Sequence, residues 1–388
     1  MTNTLSSFKF PPEWGFKRTP TRPVELQVLD FEKNYDYDTL WNDVIQINDS
    51  TIIIIGPPLY EIASWLQVAC KFIDSHGNKL DWQVMEMDRC CTIIIRSVQI
   101  TQSLIFSTPF GDYNLSVNFA SGVFTDKKVI VTISQNHPVE WLKQWIDYHK
   151  VVHNVEGFLI YNNRSTIYTN QQLSEALYRN DMSIVVVDYD VPFGVMGGGL
   201  WTWHGRSGTY LPWDSDFSQY VMLEISKWRY LHNARLVINA DTDELLLIKN
   251  SNLDGVADYC ESGEHSVLVY DGIWIEPRDS RTGEIAKDLA FDDRKFYNYW
   301  HTQYGDGRGI GTKWMLNPKK NLRYQWHLHK IYGPYAKTNE ITYGHYFAMN
   351  TGWCYPRDDF AGEVENLIEL ESLKHNLAVW QQNSQGVK

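Results

Sequence analysis

Between Val129 and Ile238 two kinds of apolar pattern alternate, and that alternation narrows the fold more than any other feature of the chain. Val129–Ile133, Phe158–Tyr161, Ile184–Val187 and Leu236–Ile238 are short, continuous apolar runs. Such runs suit strands covered on both faces. Between them, Trp141, Leu142, Trp145, Ile146 and His149 recur at helical spacing, as do Leu173, Ala176 and Leu177, and then Ser218 to His232. Pro138 suits a first helical turn, and Asp214 or Ser215 can cap the third helix. Strands alternating with helices at this spacing predict an α/β fold with a mostly parallel sheet flanked by helices.

The preceding residues read differently. Thr51–Ile55 and Cys91–Val98 are apolar strand candidates, Tyr113–Phe119 alternates at period two, and one helical turn is expected around Leu59 to Phe72. The polar stretch Ser121–Lys128 marks a boundary. The sequence therefore predicts a smaller β-rich accessory domain over 1–125, supporting the fold, and a catalytic domain over 126–388.

The chemistry concentrates where the fourth apolar run ends. Leu236–Ile238 leads into Asn239-Ala240-Asp241-Thr242-Asp243-Glu244, three carboxylates within four residues. In parallel sheets ligands bind at the carboxyl ends of strands. Like charges this close repel and resist desolvation, and a divalent cation removes both penalties. Oxygen ligands suit Mg²⁺ or Mn²⁺, and substrate phosphates complete such shells. A solvated turn at a helix N-terminus is the plain alternative.

Four ordered segments, VIVTISQNHPVEWLKQWIDYH, GFLIYNNRST, INADTDELL and KWMLNPKKNLRYQWHLH, carry a resemblance. Over about residues 129–330 the chain resembles the GT-A glycosyltransferases, family-2-like and family-92-like members among them. The resemblance implies a GT-A, Rossmann-like sheet, a nucleotide-sugar donor, expected to be UDP-linked, a carbohydrate acceptor, and Mn²⁺ or Mg²⁺ at a DxD motif. It implies a hexosyltransferase-type activity in glycan or polysaccharide synthesis. Asp241 would face the ribose and the metal, Asp243 would ligate the metal, and Glu244 would brace the loop. Thr132 and Asn136 would lie near the nucleoside. Asn162 stands where relatives commonly carry an Asp beside the base, and Lys313 where they often place a basic residue toward the diphosphate. A late histidine often completes the metal shell in this group. Either His327 or His329 could serve, since a strand would set both on one face; His345 is a weaker candidate.

An inverting transfer needs a carboxylate near the acceptor hydroxyl. Asp271 and Glu276, beside the aromatic stretch Tyr270–Trp274, and Asp292 or Asp293 are the candidates. Asp293 resembles the acidic position that opens the acceptor-side helix in related folds. Phe193–Trp203 joins glycines to aromatics as a lid, an acceptor platform or a plain loop. Gly305–Gly311 lacks the flanking strand and helix of a dinucleotide fingerprint, and is instead a candidate loop over donor phosphates.

Composition limits the partners. The net charge of −12 disfavours nucleic acid, despite Lys319, Lys320 and Arg323. Sixteen Trp and 23 Tyr offer faces on which sugar rings stack. Five scattered cysteines form neither a disulfide framework nor a zinc cluster and fit a reducing, cytoplasmic setting. The sequence shows no signal peptide and no transmembrane segment, leaving peripheral membrane association open. A metal-dependent sugar-phosphate hydrolase and a non-catalytic carbohydrate-binding protein are the competing readings.

Overall fold

The structure is a computed structural model describing residues 4–96, 99–195, 215–303, 310–351 and 364–384. Asp214, Val98, the part of Phe193–Trp203 after Val195 and the part of Gly305–Gly311 before Ile310 lie outside the described residues. The chain groups into two compact units, Val123–Val187 with Asn233–Lys388, and Thr4–Gly122 with Asp188–His232.

The first unit begins with β1 (Lys128–Ser134), α1 (Val139–His153), β2 (Gly157–Asn162), α2 (Asn170–Leu177) and β3 (Ser183–Asp188). After the excursion through 188–232 it continues with β4 (Leu236–Asn239), β5 (Glu244–Ile248), α3 (Leu253–Ser262), β6 (Val267–Tyr270) and β7 (Gly272–Ile275). Further on come β8 (Lys313–Leu316), β9 (Ala336–Lys337), β10 (Ile341–Tyr346) and α4 (Glu371–Ser384). The seven-stranded sheet has the order β3-β2-β1-β4-β8-β6-β9. β1 is parallel to β2 and to β4, β8 is antiparallel to β4 and β6, and β9 is parallel to β6. The predicted α/β fold with a mostly parallel sheet is therefore present, and β8 is a reversed strand within it. A second sheet has the order β5-β10-β7, so β5 is an edge strand.

Strand order fixes where a ligand fits. The chain builds outward from β1 through β2 to β3, then returns to the other side of β1 with β4. That reversal falls at the carboxyl ends of β1 and β4, where open α/β sheets take their ligands in a crevice. All seven residues of β1 and all four of β4 are buried, as their unbroken apolar runs require. α1 covers the sheet with Trp141, Leu142, Trp145 and Ile146, each buried and each contributing about 1.5–3 kcal/mol. It ends at Asn154, in the left-handed region with φ 55°, whose N–H returns to the Lys150 carbonyl at 2.8 Å.

The second unit is β-rich, as its sequence predicts. One sheet joins Asn118–Phe119, Asp43–Asn48, Thr51–Gly56, Cys90–Arg96 and Trp82–Met87; another joins Gly111–Ser116, Ser103–Thr108, Lys71–Ile73 and Lys79–Leu80. The helix expected near Leu59–Phe72 spans Ile62–Ala69. The helix Phe217–Ile225, which the sequence pattern assigns to the alternating α/β region, instead packs on Thr51–Gly56 and Cys90–Arg96. Every residue of that helix from Phe217 to Ile225 is buried except Gln219, and it continues as a π-helical turn over Ser226–Leu231. Arg229 on that turn pairs with the buried Asp43 at 2.8 Å. A helix buried nearly all round needs cover on more than one side, and these strands supply part of it.

Candidate active site

The acidic cluster forms a tight turn in the crevice, between the end of β4 and the start of β5. Its own atoms brace it. The Glu244 N–H donates to the Asp241 carbonyl at 3.1 Å, and the Asp241 N–H donates to Glu244 Oε2 at 2.8 Å. Lys313, the first residue of β8, reaches the turn from the neighbouring strand and is 3% exposed. Its Nζ lies 2.8 Å from Asp241 Oδ2 and 3.3 Å from Glu244 Oε2. His345 on β10 arrives opposite Glu244 through the β5–β10 register. Its Nε2 lies 3.1 Å from Asp243 Oδ2, and its Nδ1 lies 3.5 Å from Glu244 Oε1. Trp274 on β7 stacks on the His345 ring at 4.4 Å and 26°. Stacking of that kind fixes the plane in which the imidazole lies.

Charge balance follows from these distances. Burial pushes the Glu244 carboxyl up to about 8, against the pull of Lys313. Desolvation also raises Asp241, but Lys313 outweighs it and holds Asp241 below the usual carboxylate range. Burial alone would depress the Lys313 ammonium; Asp241 and Glu244 reverse that and raise it. At neutral pH the turn thus carries a Lys313–Asp241 ion pair beside a largely protonated Glu244.

From the β1 side, His137 bridges the crevice. Its Nδ1 lies 3.0 Å from Ser134 Oγ and its Nε2 lies 3.1 Å from Thr242 Oγ1. Burial drops its pKa to about 4, so the ring is neutral. Nothing in the spacing of SQNHP marks this histidine; it becomes visible once β1 and β4 are neighbours.

The structure gathers some of the residues singled out from sequence and separates others. Asp241, Asp243, Glu244 and Lys313 converge. Thr132 is buried within β1, and Asn162 ends β2, with its Nδ2 donating to Asn170 Oδ1 at 3.3 Å. Asn136, with φ 54°, ties its turn to the loop after β2, accepting from the Thr166 N–H at 2.7 Å. His327 and His329 do not share a strand face: they sit on a turn closed by the Trp326–Ile331 bridge. His329 Nδ1 engages the Thr312 carbonyl at 2.9 Å, and its ring packs against Gly311. Of the three candidate histidines, His345 is therefore the one that meets the Asp243 carboxylate, because strand pairing outweighs nearness in sequence.

The four carboxylates considered for proton removal diverge. Asp271 precedes β7 at the end away from Trp274 and pairs with Lys337 at 2.7 Å, both being more than half exposed. Glu276 follows β7 and is 1% exposed. Asp293 ends a three-residue 3-10 turn, Phe291–Asp293, rather than opening an α-helix, and is exposed, as is Asp292. That turn is tied to α1, since Trp141 Nε1 donates to the Phe291 carbonyl at 3.0 Å.

Among the described residues, no group of three or more His, Cys, Asp or Glu side chains is gathered so as to hold a metal ion. Asp243 and His345 are instead a hydrogen-bonded pair, and their separation is also that of two neighbouring ligands of one ion. In octahedral coordination with bonds near 2.1 Å, adjacent ligands stand about 3.0 Å apart. Asp243 Oδ2 and His345 Nε2 are 3.1 Å apart. Among the described residues no helix is long and apolar enough to cross a membrane.

No family model matches the sequence, and no curated protein matches it. Solved structures similar in shape include residues 1–349 of TarS from S. aureus, 12% identical, covering 50% of this chain and 47% of that one at a TM-score of 0.26. The apo form of mouse xyloside xylosyltransferase 1 is 10% identical, covering 51% of this chain and 69% of that one at a TM-score of 0.26. HddC from Yersinia pseudotuberculosis is 11% identical, covering 60% of this chain and 96% of that one at a TM-score of 0.29. This chain spans about half the length of the TarS chain. At such TM-scores these likenesses carry no argument, and the α/β assignment rests on strand order and register.

Proposed function

We propose that the chain is a GT-A-type glycosyltransferase that moves a sugar from a nucleoside-diphosphate donor, UDP-linked, to a carbohydrate acceptor, with the help of a divalent cation. The observation that carries this reading is the Asp241–Glu244 turn at the β1/β4 reversal, with the Asp243–His345 pair spaced as two neighbouring ligands of one ion. Asp243 and His345 would hold the cation, leaving its other positions to diphosphate oxygens and water. A nitrogen ligand beside a carboxylate favours Mn²⁺ over Mg²⁺. Bound there, the ion would stabilise the departing diphosphate as a Lewis acid. Asp241, whose side chain keeps 37% of its surface exposed, is available to accept hydrogen bonds from a ribose. Lys313 offsets the charge of Asp241 and keeps the turn compact.

Asp293 is the carboxylate best suited to take the acceptor proton. It is exposed, whereas Glu276 is buried, and its turn is anchored to the start of α1, next to the crevice. Asp271 is already paired with Lys337.

Calorimetry with UDP, with and without Mn²⁺, tests the proposal on the wild type and on Asp243→Ala. The expected result is UDP binding that needs Mn²⁺ and is lost in the variant, with its melting temperature within a few degrees of the parent. Sugar binding without metal and no affinity for UDP would instead identify a carbohydrate-binding protein. Cleavage of UDP-sugars at a rate indifferent to added glycan would identify a hydrolase.

A further inference from the structure

β5 is an edge strand, and an edge strand leaves a row of N–H and C=O groups that must be satisfied. β10 takes one edge. On the other, no strand among the described residues pairs with β5; side chains of α1 do the work. Trp145, His149 and His153 repeat every four residues on one face of the helix, with Tyr148 beside them. Trp145 Nε1 donates to the Glu244 carbonyl at 2.8 Å. Tyr148 Oη and His153 Nε2 both donate to the Leu246 carbonyl, at 2.9 and 2.7 Å. The Leu246 N–H donates to His149 Nε2 at 3.2 Å, while His149 Nδ1 donates to the Trp145 carbonyl at 2.8 Å. A helix thus imitates a neighbouring strand, and it does so on the residues that directly follow Asp243.

His149 has the most demanding place in this ladder. It must accept on Nε2 and donate on Nδ1, which a single neutral tautomer does. It is 0% exposed.

We propose that His149 is a positioning residue for the acidic turn: by accepting the Leu246 N–H it fixes the backbone after Glu244, and so sets where the Asp243 carboxylate stands relative to His345. This role rests on the proposed function where ligand binding is concerned, but its structural half does not. Loss of a partner that orients a metal ligand typically weakens metal binding roughly ten- to hundredfold.

The test compares His149→Leu, His149→Gln and Trp145→Phe with Leu177→Ala, a buried α2 residue outside the ladder. Amide exchange at Leu246 and Mn²⁺-dependent UDP affinity are both measured below each protein's melting temperature. His149→Leu should speed Leu246 exchange and weaken UDP–Mn²⁺ binding about ten- to hundredfold. His149→Gln should restore part of both, since its amide oxygen can accept the Leu246 N–H near the place of Nε2. Trp145→Phe should shift both in the same direction, and it carries the test if His149→Leu does not fold. Leu177→Ala should lower the melting temperature and change neither. Equal losses in Leu177→Ala and His149→Leu would reduce His149 to a general stabilising role and overturn the proposal, as would unchanged Leu246 exchange in both ladder variants. A wild type that binds no UDP with Mn²⁺ would defeat the glycosyltransferase reading, and the exchange data would then decide the role of His149 alone.

Discussion

Replacing Glu244 by Gln should make the metal-free protein more stable, although the residue sits in the candidate active site. Its carboxyl is 1% exposed and titrates near 8, because burial outweighs the help it receives from Lys313. An unfolded Glu titrates near 4.3, and each pH unit between the two values is worth about 1.4 kcal/mol. The folded protein holds the extra proton in that window, so stability falls as pH rises from about 4.3 towards 8. At pH 7 the wild type therefore gives up roughly 3–4 kcal/mol that a neutral side chain would keep. Gln preserves an acceptor for the Asp241 N–H, now held by Glu244 Oε2 at 2.8 Å, and carries no charge to desolvate. Urea unfolding of both proteins in EDTA, at several pH values from 7.5 to 4.5, reads the difference. The expected advantage of Glu244→Gln is about 3–4 kcal/mol at pH 7, shrinking to near zero at pH 4.5. Mn²⁺ should narrow the gap at pH 7, because an ion beside the turn favours the carboxylate. A variant no more stable than its parent at pH 7, or an advantage unchanged across that pH range, would refute the reasoning.

Two further predictions concern stability. Burial depresses His149 to about 3 and His153 to about 4, below the 6.5 of an unfolded histidine. Their stabilisation is complete above pH 6.5 and is lost as pH falls, as is that of His137, which burial depresses to about 4; in the Glu244→Gln background the three should together lose about 4 kcal/mol between pH 7.5 and 5.5, and a flat urea profile there would contradict neutral buried histidines. Gly311→Ala should cost about 1–3 kcal/mol in thermal melts, because its Cβ would stand 2.5 Å from the His329 ring; an unchanged melting temperature would mean that this ring moves freely.

Much of the first unit is legible in the sequence because its signals are local. Four buried apolar runs became four strands, Pro138 preceded α1, and the acidic cluster lies at a strand end where ligands bind. Lys313 was singled out only by the resemblance, and its pairing with Asp241 depends on β8 lying beside β4. The place of His345 was not legible, because it reaches Asp243 only through the β5–β10 register, about a hundred residues away in sequence, and register depends on pairing rather than composition. The His327–His329 spacing suggested a shared strand face, but the backbone turns between Trp326 and Ile331 and removes it. The ladder on α1 was hidden for a related reason: Trp145, Tyr148, His149 and His153 read as a helical face, and nothing in that spacing says that they meet backbone polar groups rather than apolar side chains. The grouping of Phe217–Leu231 with the N-terminal strands was not legible, since Ser218, Gln219, Glu224, Ser226, Lys227 and Arg229 interrupt its apolar residues and only the structure shows nearly all of it buried.

The excursion through residues 188–232 shapes what can be taken apart. Over the described residues the chain passes from one unit to the other three times, after Gly122, after Val187 and after His232. No single scission can free either unit as one intact polypeptide. Dividing the gene before Val123 would strand the apolar helix Phe217–Ile225 on a fragment lacking Thr51–Gly56 and Cys90–Arg96, the strands it rests on. The two pieces should regain solubility when produced together, by complementation, rather than when produced alone.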